Sequence, residues 1–269
     1  MPHHCQPNTG PILERLEELM ACLRGPEGCP WDREQTPRSL LPYTIEEAFE
    51  VVEAVETRNI RAWKDELGDL LFHIVFHSRI AQEEGHFTLN DVISGIVDKM
   101  TRRHPHVFDP VRAGLEDPEQ VVAQWEVIKR AEKSASGGLK SVFDDVNSRL
   151  PALLWAAKVQ RKMSQVGFDW SGPDGVLEKV HEELEELRQA TTQDQREEEL
   201  GDLLLTLVNL AGHYRINPEM ALRRATHKSQ NRFRYMEQKL HADHRSPTDA
   251  SLDELEALWQ ESKRHTDPA

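Results

Sequence analysis

The hexapeptide Glu-Leu-Gly-Asp-Leu-Leu occurs twice, at residues 66–71 and again at 199–204. Each copy follows a Glu-Glu-x-x-Glu, at 46–50 and at 182–186. Glu47 therefore corresponds to Glu183, Glu50 to Glu186, Glu66 to Glu199 and Asp69 to Asp202, with a period near 130 residues. Six identical residues beside matching upstream acids indicate duplication, so the chain must fold as two related units.

The periodicity within each unit is helical. Leu13, Leu16, Leu19, Met20 and Leu23 recur at spacings of three and four, as do Ala48, Val51, Val52 and Val55, and Leu67, Leu70, Leu71, Ile74 and Val75, which are expected to form buried faces. No alternation suited to a strand accompanies them. The first unit is read as helices over 12–23, 44–57, 60–84 and 89–103. Thr44 is the expected N-cap of the second, with Glu47 at its capping-box position, a local use that competes with any other role of Glu47. Gly68 inside the third suggests close helix–helix approach. Residues 25–37 read as a Gly/Pro loop. The second unit is read as helices over 150–166, 176–190, 195–214 and 218–241, with a tail helix over 252–263. A charged helix over 119–133 and a Ser-Ala-Ser-Gly-Gly break at 134–138 separate the two. The fold class is all-α: two tandem helical-bundle domains, 1–110 and 151–269, joined by a linker over 111–150. Each unit has few helices for its long amphipathic stripes, so completion by dimerisation is expected.

Charge narrows the function. The 269 residues carry a net charge of -14, which disfavours nucleic acid and anionic membrane surfaces as partners. No apolar run approaches the roughly 18 residues a bilayer span needs, and no secretory leader is visible. Three cysteines without a C-x-x-C supply no disulfide framework and fit a reducing cytoplasm. His3, His4 and Cys5 could catch a metal only fortuitously.

The acids are concentrated. Residues 46–69 hold eight acids against three bases, and residues 182–202 nine against two. Residues three apart on a helix share a face, so pairing the two acidic helices in each unit brings four carboxylates together. Each carboxylate pair at 4 Å costs about 4 kcal/mol at an effective dielectric near 20. Hard oxygen donors of this kind suit Mg2+, or Mn2+. A cation held this way with open positions commonly grips phosphate oxygens and a water, and no G-x-x-x-x-G-K-[ST] is present to support a P-loop kinase or motor.

Phosphate also needs cations from the protein. Lys99 and Arg103, four apart, end the last helix of the first unit, and Lys228 and Arg232 stand at the same place in the second. Trp31 and Trp170 precede the acidic helices and either stack on a base or anchor their loops. His73 and His77 continue the Glu66–Asp69 stripe, but Thr206 and Leu210 replace them in the second copy, so they are read as packing residues. His104 and His106 contact phosphate or cap a helix.

These motifs, with Cys-Pro-Trp-Asp (29–32), Arg-Arg-His-Pro-His-Val-Phe (102–108) and Val-Gly-Phe-Asp-Trp (166–170), resemble the two-domain MazG branch of the all-α nucleoside triphosphate pyrophosphohydrolases over nearly the whole chain. The resemblance implies Mg2+-dependent hydrolysis of (d)NTPs to the monophosphate and pyrophosphate, with water attacking the α-phosphorus, in nucleotide-pool house-cleaning. It implies Glu183, Glu186, Glu199 and Asp202 as metal ligands, with Glu47, Glu50, Glu66 and Asp69 as counterparts. Glu183 and Glu186 are then catalytic, and Glu182 and Glu46 take an outer or base role. Lys228 and Arg232 bind the phosphate chain, although Thr226 stands where the family often has Asn. Narrower dUTP or phosphoribosyl-nucleotide hydrolysis, or nucleotide sensing by a non-catalytic helical dimer, are the competing readings.

Overall fold

The computed structural model describes residues 12–109, 117–135, 141–144 and 146–266. The His3-His4-Cys5 cluster and most of the expected break at 134–138 lie outside them. No strand occurs among the described residues, so the architecture is all-α as the periodicity requires. Contacts divide the chain into two units, 1–136 and 137–269.

The first unit comprises α1 (Ile12–Arg24), α2 (Pro30–Glu34), α3 (Pro37–Glu56), α4 (Ile60–Glu83), α5 (Leu89–Arg103), α6 (Pro105–Phe108) and α7 (Pro118–Ala135). Its spine is the antiparallel hairpin of α3 and α4, turned by residues 57–59, with α1 laid against α4. Met20, Leu40, Val75, Phe76, Ile80 and Leu89 form the core. Burial of such side chains contributes about 1.5–3 kcal/mol each.

Helix α3 starts earlier than the sequence suggests. Thr36 is its N-cap: the Thr36 hydroxyl accepts from the Ser39 backbone N–H, and the Ser39 side chain returns the bond to the Thr36 N–H, with Pro37 in the first turn. Pro42 is tolerated inside the helix at the loss of one backbone bond. Thr44 is therefore interior rather than a cap; its hydroxyl bonds the Leu40 carbonyl and His77. Glu47 is thereby released from any capping role. The expected loop at 25–37 also contains a short helix, α2, initiated by Pro30.

Three further expectations change. A methyl group added at Gly68 would meet nothing within 4 Å, so no close approach explains that glycine in this chain. Leu67, Leu71 and Ile74, expected in the core, are 46%, 42% and 42% exposed, because α4 buries the face carrying Val75, Phe76 and Ile80 instead. Helix α7, assigned above to a linker, packs on α5: Arg102 and Arg103 both pair with Glu132, at 2.6 and 2.7 Å.

The second unit repeats the plan with α8 (Ala152–Ser164), α9 (Pro173–Gln189), α10 (Gln193–His213) and α11 (Pro218–Ala242), followed by α12 (Leu252–Thr266). Helices α9 and α10 form the hairpin equivalent to α3–α4, α8 packs on α10, and α12 lies along α11. Leu200, Leu204 and Leu207 match Leu67, Leu71 and Ile74 and are exposed like them. No helix among the described residues is long and apolar enough to cross a membrane.

Candidate active site

The hairpins bring the duplicated acids together. In the first unit, one carboxylate oxygen each from Glu47, Glu66 and Asp69 lies within 4.8 Å of the others; in the second, the same holds for Glu183, Glu199 and Asp202. Glu50 and Glu186 stand outside these tight trios but act on them electrostatically. Burial, then the charge of Glu50, raises the pKa of both Glu47 and Glu66. Burial, then Glu186 and Glu183, raises that of Glu199. Carboxylates held together against their own repulsion suit a divalent cation.

The second site is the more informative. Glu183 is 4% exposed. Its Oε1 pairs with Lys179 Nζ at 2.8 Å, while its Oε2 is buried without a hydrogen-bond partner. A buried carboxylate oxygen left unmet costs about 1–3 kcal/mol or more, and a cation shared with Glu199 and Asp202, whose oxygens lie within 4.8 Å of one of Glu183's, would supply a partner. The residues present therefore fit a bound Mg2+ or Mn2+. Lys179 also meets Glu182 Oε1 at 2.6 Å; Glu182 first and then Glu183 hold its pKa above the ordinary lysine value. Sequence reading missed Lys179, although its spacings of three and four from Glu182 and Glu183 were a visible signal.

Glu183, Asp202 and Lys179 line a cavity of about 540 Å3 that Phe168 and Trp170 also line. That volume suits a small-molecule ligand. Trp170 is held by a close approach: a Cβ on Gly175 would come within 2.6 Å of its indole. Asp169 anchors the same loop, accepting from Asn209 Nδ2 and His213 Nε2 at 3.2 Å each. Burial pushes the Asp169 pKa up, but bonds from Asn209, Ser164 and His213 outweigh it and hold the carboxyl below its usual range.

The cations predicted from sequence are placed differently from one another. Lys228 is exposed, and Arg232 lies over the Trp259 ring at 5.4 Å; neither lines the 540 Å3 cavity. Lys99 is half-buried. Arg103 is tied to Glu132, whose carboxyl Arg103 and then Arg102 hold down at about 2.

The first unit places rings at the equivalent positions. Tyr43 stands where the second unit has Lys179, and His73 where it has Thr206. Tyr43 stacks on His73, with centroids 6.4 Å apart, and meets Trp31 edge-on at 5.8 Å. His73 Nε2 lies 3.8 Å from Glu47. Burial lowers the pKa of His73 and of His77, in keeping with packing roles.

A family model described as the MazG nucleotide pyrophosphohydrolase domain matches residues 35–108 and 172–236, together just over half of the 269 residues and one segment on each acidic hairpin. The chain belongs to the MazG family. It is 44% identical over 255 residues to the nucleoside triphosphate pyrophosphohydrolase/pyrophosphatase MazG of Thermotoga maritima, covering 95% of this chain and 97% of that protein. It is 44% identical over 258 residues to the nucleoside triphosphate pyrophosphohydrolase of Escherichia coli K12, covering 94% and 97%. A crystal structure of a mazG-related protein from Thermotoga maritima is 28% identical, with a TM-score of 0.37, over 43% of this chain and 97% of that one. Both MazG segments include the Glu-x-x-Asp of their unit, so each carries its own acidic trio.

Proposed function

We propose that the chain hydrolyses nucleoside triphosphates to the monophosphate and pyrophosphate, that Glu183, Glu186, Glu199 and Asp202 hold Mg2+ or Mn2+, and that the second unit carries the reaction. The observation that supports this most is the convergence of Glu183, Glu199 and Asp202, two of which, Glu183 and Asp202, line a cavity with Lys179 and Trp170. The family model and the names of the two full-length relatives support the reaction class.

A bound divalent cation would supply neutralising charge for phosphate oxygens and a more acidic water. The chain's own groups do the rest. Lys179 offsets the charge of Glu182 and Glu183 and keeps Glu183 oriented. Phe168 and Trp170 exclude water from one side and give a base an aromatic face. Water attacks the α-phosphorus, the bond to the bridging oxygen breaks, pyrophosphate leaves, and Glu182 takes the proton at its carboxylate. Lys228 and Arg232 are assigned the outer end of the phosphate chain. Tyr43 and His73, in place of Lys179 and Thr206, leave Glu47, Glu50, Glu66 and Asp69 able to hold a cation beside a stacked pair of rings in place of a lysine.

We assign a homodimer as the working form. Leu67, Leu71 and Ile74 and their counterparts Leu200, Leu204 and Leu207 leave an apolar stripe on the hairpin of each unit, and a second copy of the chain supplies matching stripes. A house-cleaning role in the cytoplasmic nucleotide pool is consistent with this chemistry.

The test is product analysis in 18O-labelled water across the common NTPs and dNTPs. The reading predicts pyrophosphate, with the label in the monophosphate. Diphosphate plus inorganic phosphate as products would refute it.

A further inference from the structure

In the second unit, and not in the first, a chain of polar side chains runs from the loop carrying Trp170 into the wall of the cavity. Asn209 and His213 lie seven and eleven residues after Asp202; the same positions after Asp69 are Phe76 and Ile80, both buried in the core of the first unit. Replacing core hydrocarbon by a buried amide and an imidazole costs free energy unless the polar groups are hydrogen-bonded, as Asn209 and His213 are here.

The directions of the hydrogen bonds in this chain are determined. An ionised carboxylate can only accept. Asn209 Nδ2 lies 3.2 Å from Asp169 Oδ1 and 3.2 Å from Gln160 Oε1. Flipping the Asn209 amide would set its oxygen against the carboxylate, so Asn209 must donate both N–H groups in this direction, even though that leaves its own Oδ1 buried without a partner. Asn209 is 5% exposed and cannot turn to water. With Oε1 of Gln160 engaged by Asn209, the Nε2 amino group is the part of Gln160 left to face a ligand. Gln160 lines the same 540 Å3 cavity as Glu183, Asp202, Lys179 and Trp170.

We infer that Gln160 is the residue that reads the nucleobase, presenting an N–H donor to a keto oxygen, and that Asp169 sets this polarity through Asn209. The inference rests on the nucleotide reading above and deepens it: the favoured substrates are triphosphates whose base carries an oxygen at position 4 or 6, as in uracil, thymine, guanine and hypoxanthine. Adenine and cytosine present an amino group at the same place, donor against donor. One neutral hydrogen bond separates such analogues by about three- to tenfold.

The experiment uses the full chain with matched pairs in which an amino group replaces the keto oxygen and the adjacent ring nitrogen turns from donor to acceptor, ITP against ATP and UTP against CTP, comparing kcat/KM for pyrophosphate release. The wild type is expected to favour the keto member of each pair about three- to tenfold. Gln160→Met, which keeps shape and leaves the Asp169–Asn209 bond intact, is expected to bring both ratios near one, and Gln160→Glu, an acceptor, to invert them. Asp169→Asn, which can donate back to Asn209, is expected to weaken the preference; a purely structural loop defect lowers all four substrates alike. Equal rates for both wild-type pairs, or an unchanged preference in Gln160→Met, would overturn the inference. If no nucleotide releases pyrophosphate, the functional reading fails separately, and the ratio of ITP to ATP dissociation constants still decides this one.

Discussion

Lys179 Nζ sits 2.8 Å from Glu183 Oε1, and the other oxygen of that buried carboxylate has no protein partner. One half of Glu183 is therefore satisfied from its own helix, and a Glu183 carboxylate oxygen lies within 4.8 Å of oxygens of Glu199 and Asp202 across the hairpin. Lys179→Met removes the first partner while leaving the acids in place. It should destabilise the second unit by about 1–3 kcal/mol, the cost of a buried polar atom left unmet, and lower kcat/KM by about 10- to 100-fold, as expected when the group that orients a ligand is lost. Thermal melts with and without Mg2+ give the sharper reading, because a cation bound to Glu183 should raise the Tm of this variant more than that of the wild type. Equal shifts in the two proteins would argue that Glu183 does not meet the metal.

Both trios have oxygens within 4.8 Å of one another, so two divalent sites per chain are expected. Titration with Mn2+ followed by electron paramagnetic resonance should count two in the wild type and one in either Glu66→Gln/Asp69→Asn or Glu199→Gln/Asp202→Asn. At a hundred times the dissociation constant each site should add about 2.7 kcal/mol of stability to its unit. A count of two that survives either double substitution would rule out these carboxylates as ligands.

The buried histidines of the first unit give a pH dependence of defined sign. Burial lowers His73 and His77 below the ordinary value of 6.5, so the unfolded chain takes up protons first. Their contribution is fully present above pH 6.5 and is lost as the pH falls through that value toward the folded pKa. Glu47 and Glu66 are raised above 4.5 and act in the opposite sense, relieving strain as acid protonates them. His77→Gln should flatten the fall in Tm between about pH 7 and pH 5.5 relative to the wild type. An unchanged slope would mean that His77 does not stay neutral in the folded state.

Phe76 is 1% exposed at the centre of the first unit's core. Phe76→Ala should cost about 3–5 kcal/mol, measured by urea unfolding, with the loss confined to the first unit's transition. A single transition shifted as a whole would show that the two units unfold together.

Much of this was legible in the sequence because it depended on local period and repetition. Helix α5 runs from Leu89 to Arg103 as the pattern predicts, and the acidic trios follow from three-residue spacing on two helices joined by a short turn. What failed had identifiable causes. Thr44 resembles a cap because Glu47 follows it by three, but Thr36 and Ser39 satisfy the helix start more than two turns earlier. Leu67, Leu71 and Ile74 form an apolar face by period, and period says nothing of whether another element covers that face. Lys179 was readable from its spacing to Glu182 and Glu183. The bonds from Asp169 to Asn209 and His213 span 40 and 44 positions, and no local pattern announces them.

Which acids carry the chemistry is open to direct test. The deciding measurement is the initial rate of Mg2+-dependent pyrophosphate release from full-length chains carrying Glu199→Gln/Asp202→Asn or Glu66→Gln/Asp69→Asn, each checked for unchanged helicity. The account predicts a loss of at least about 100-fold in the first and most of the wild-type rate in the second. Full activity in the first with loss in the second would contradict it.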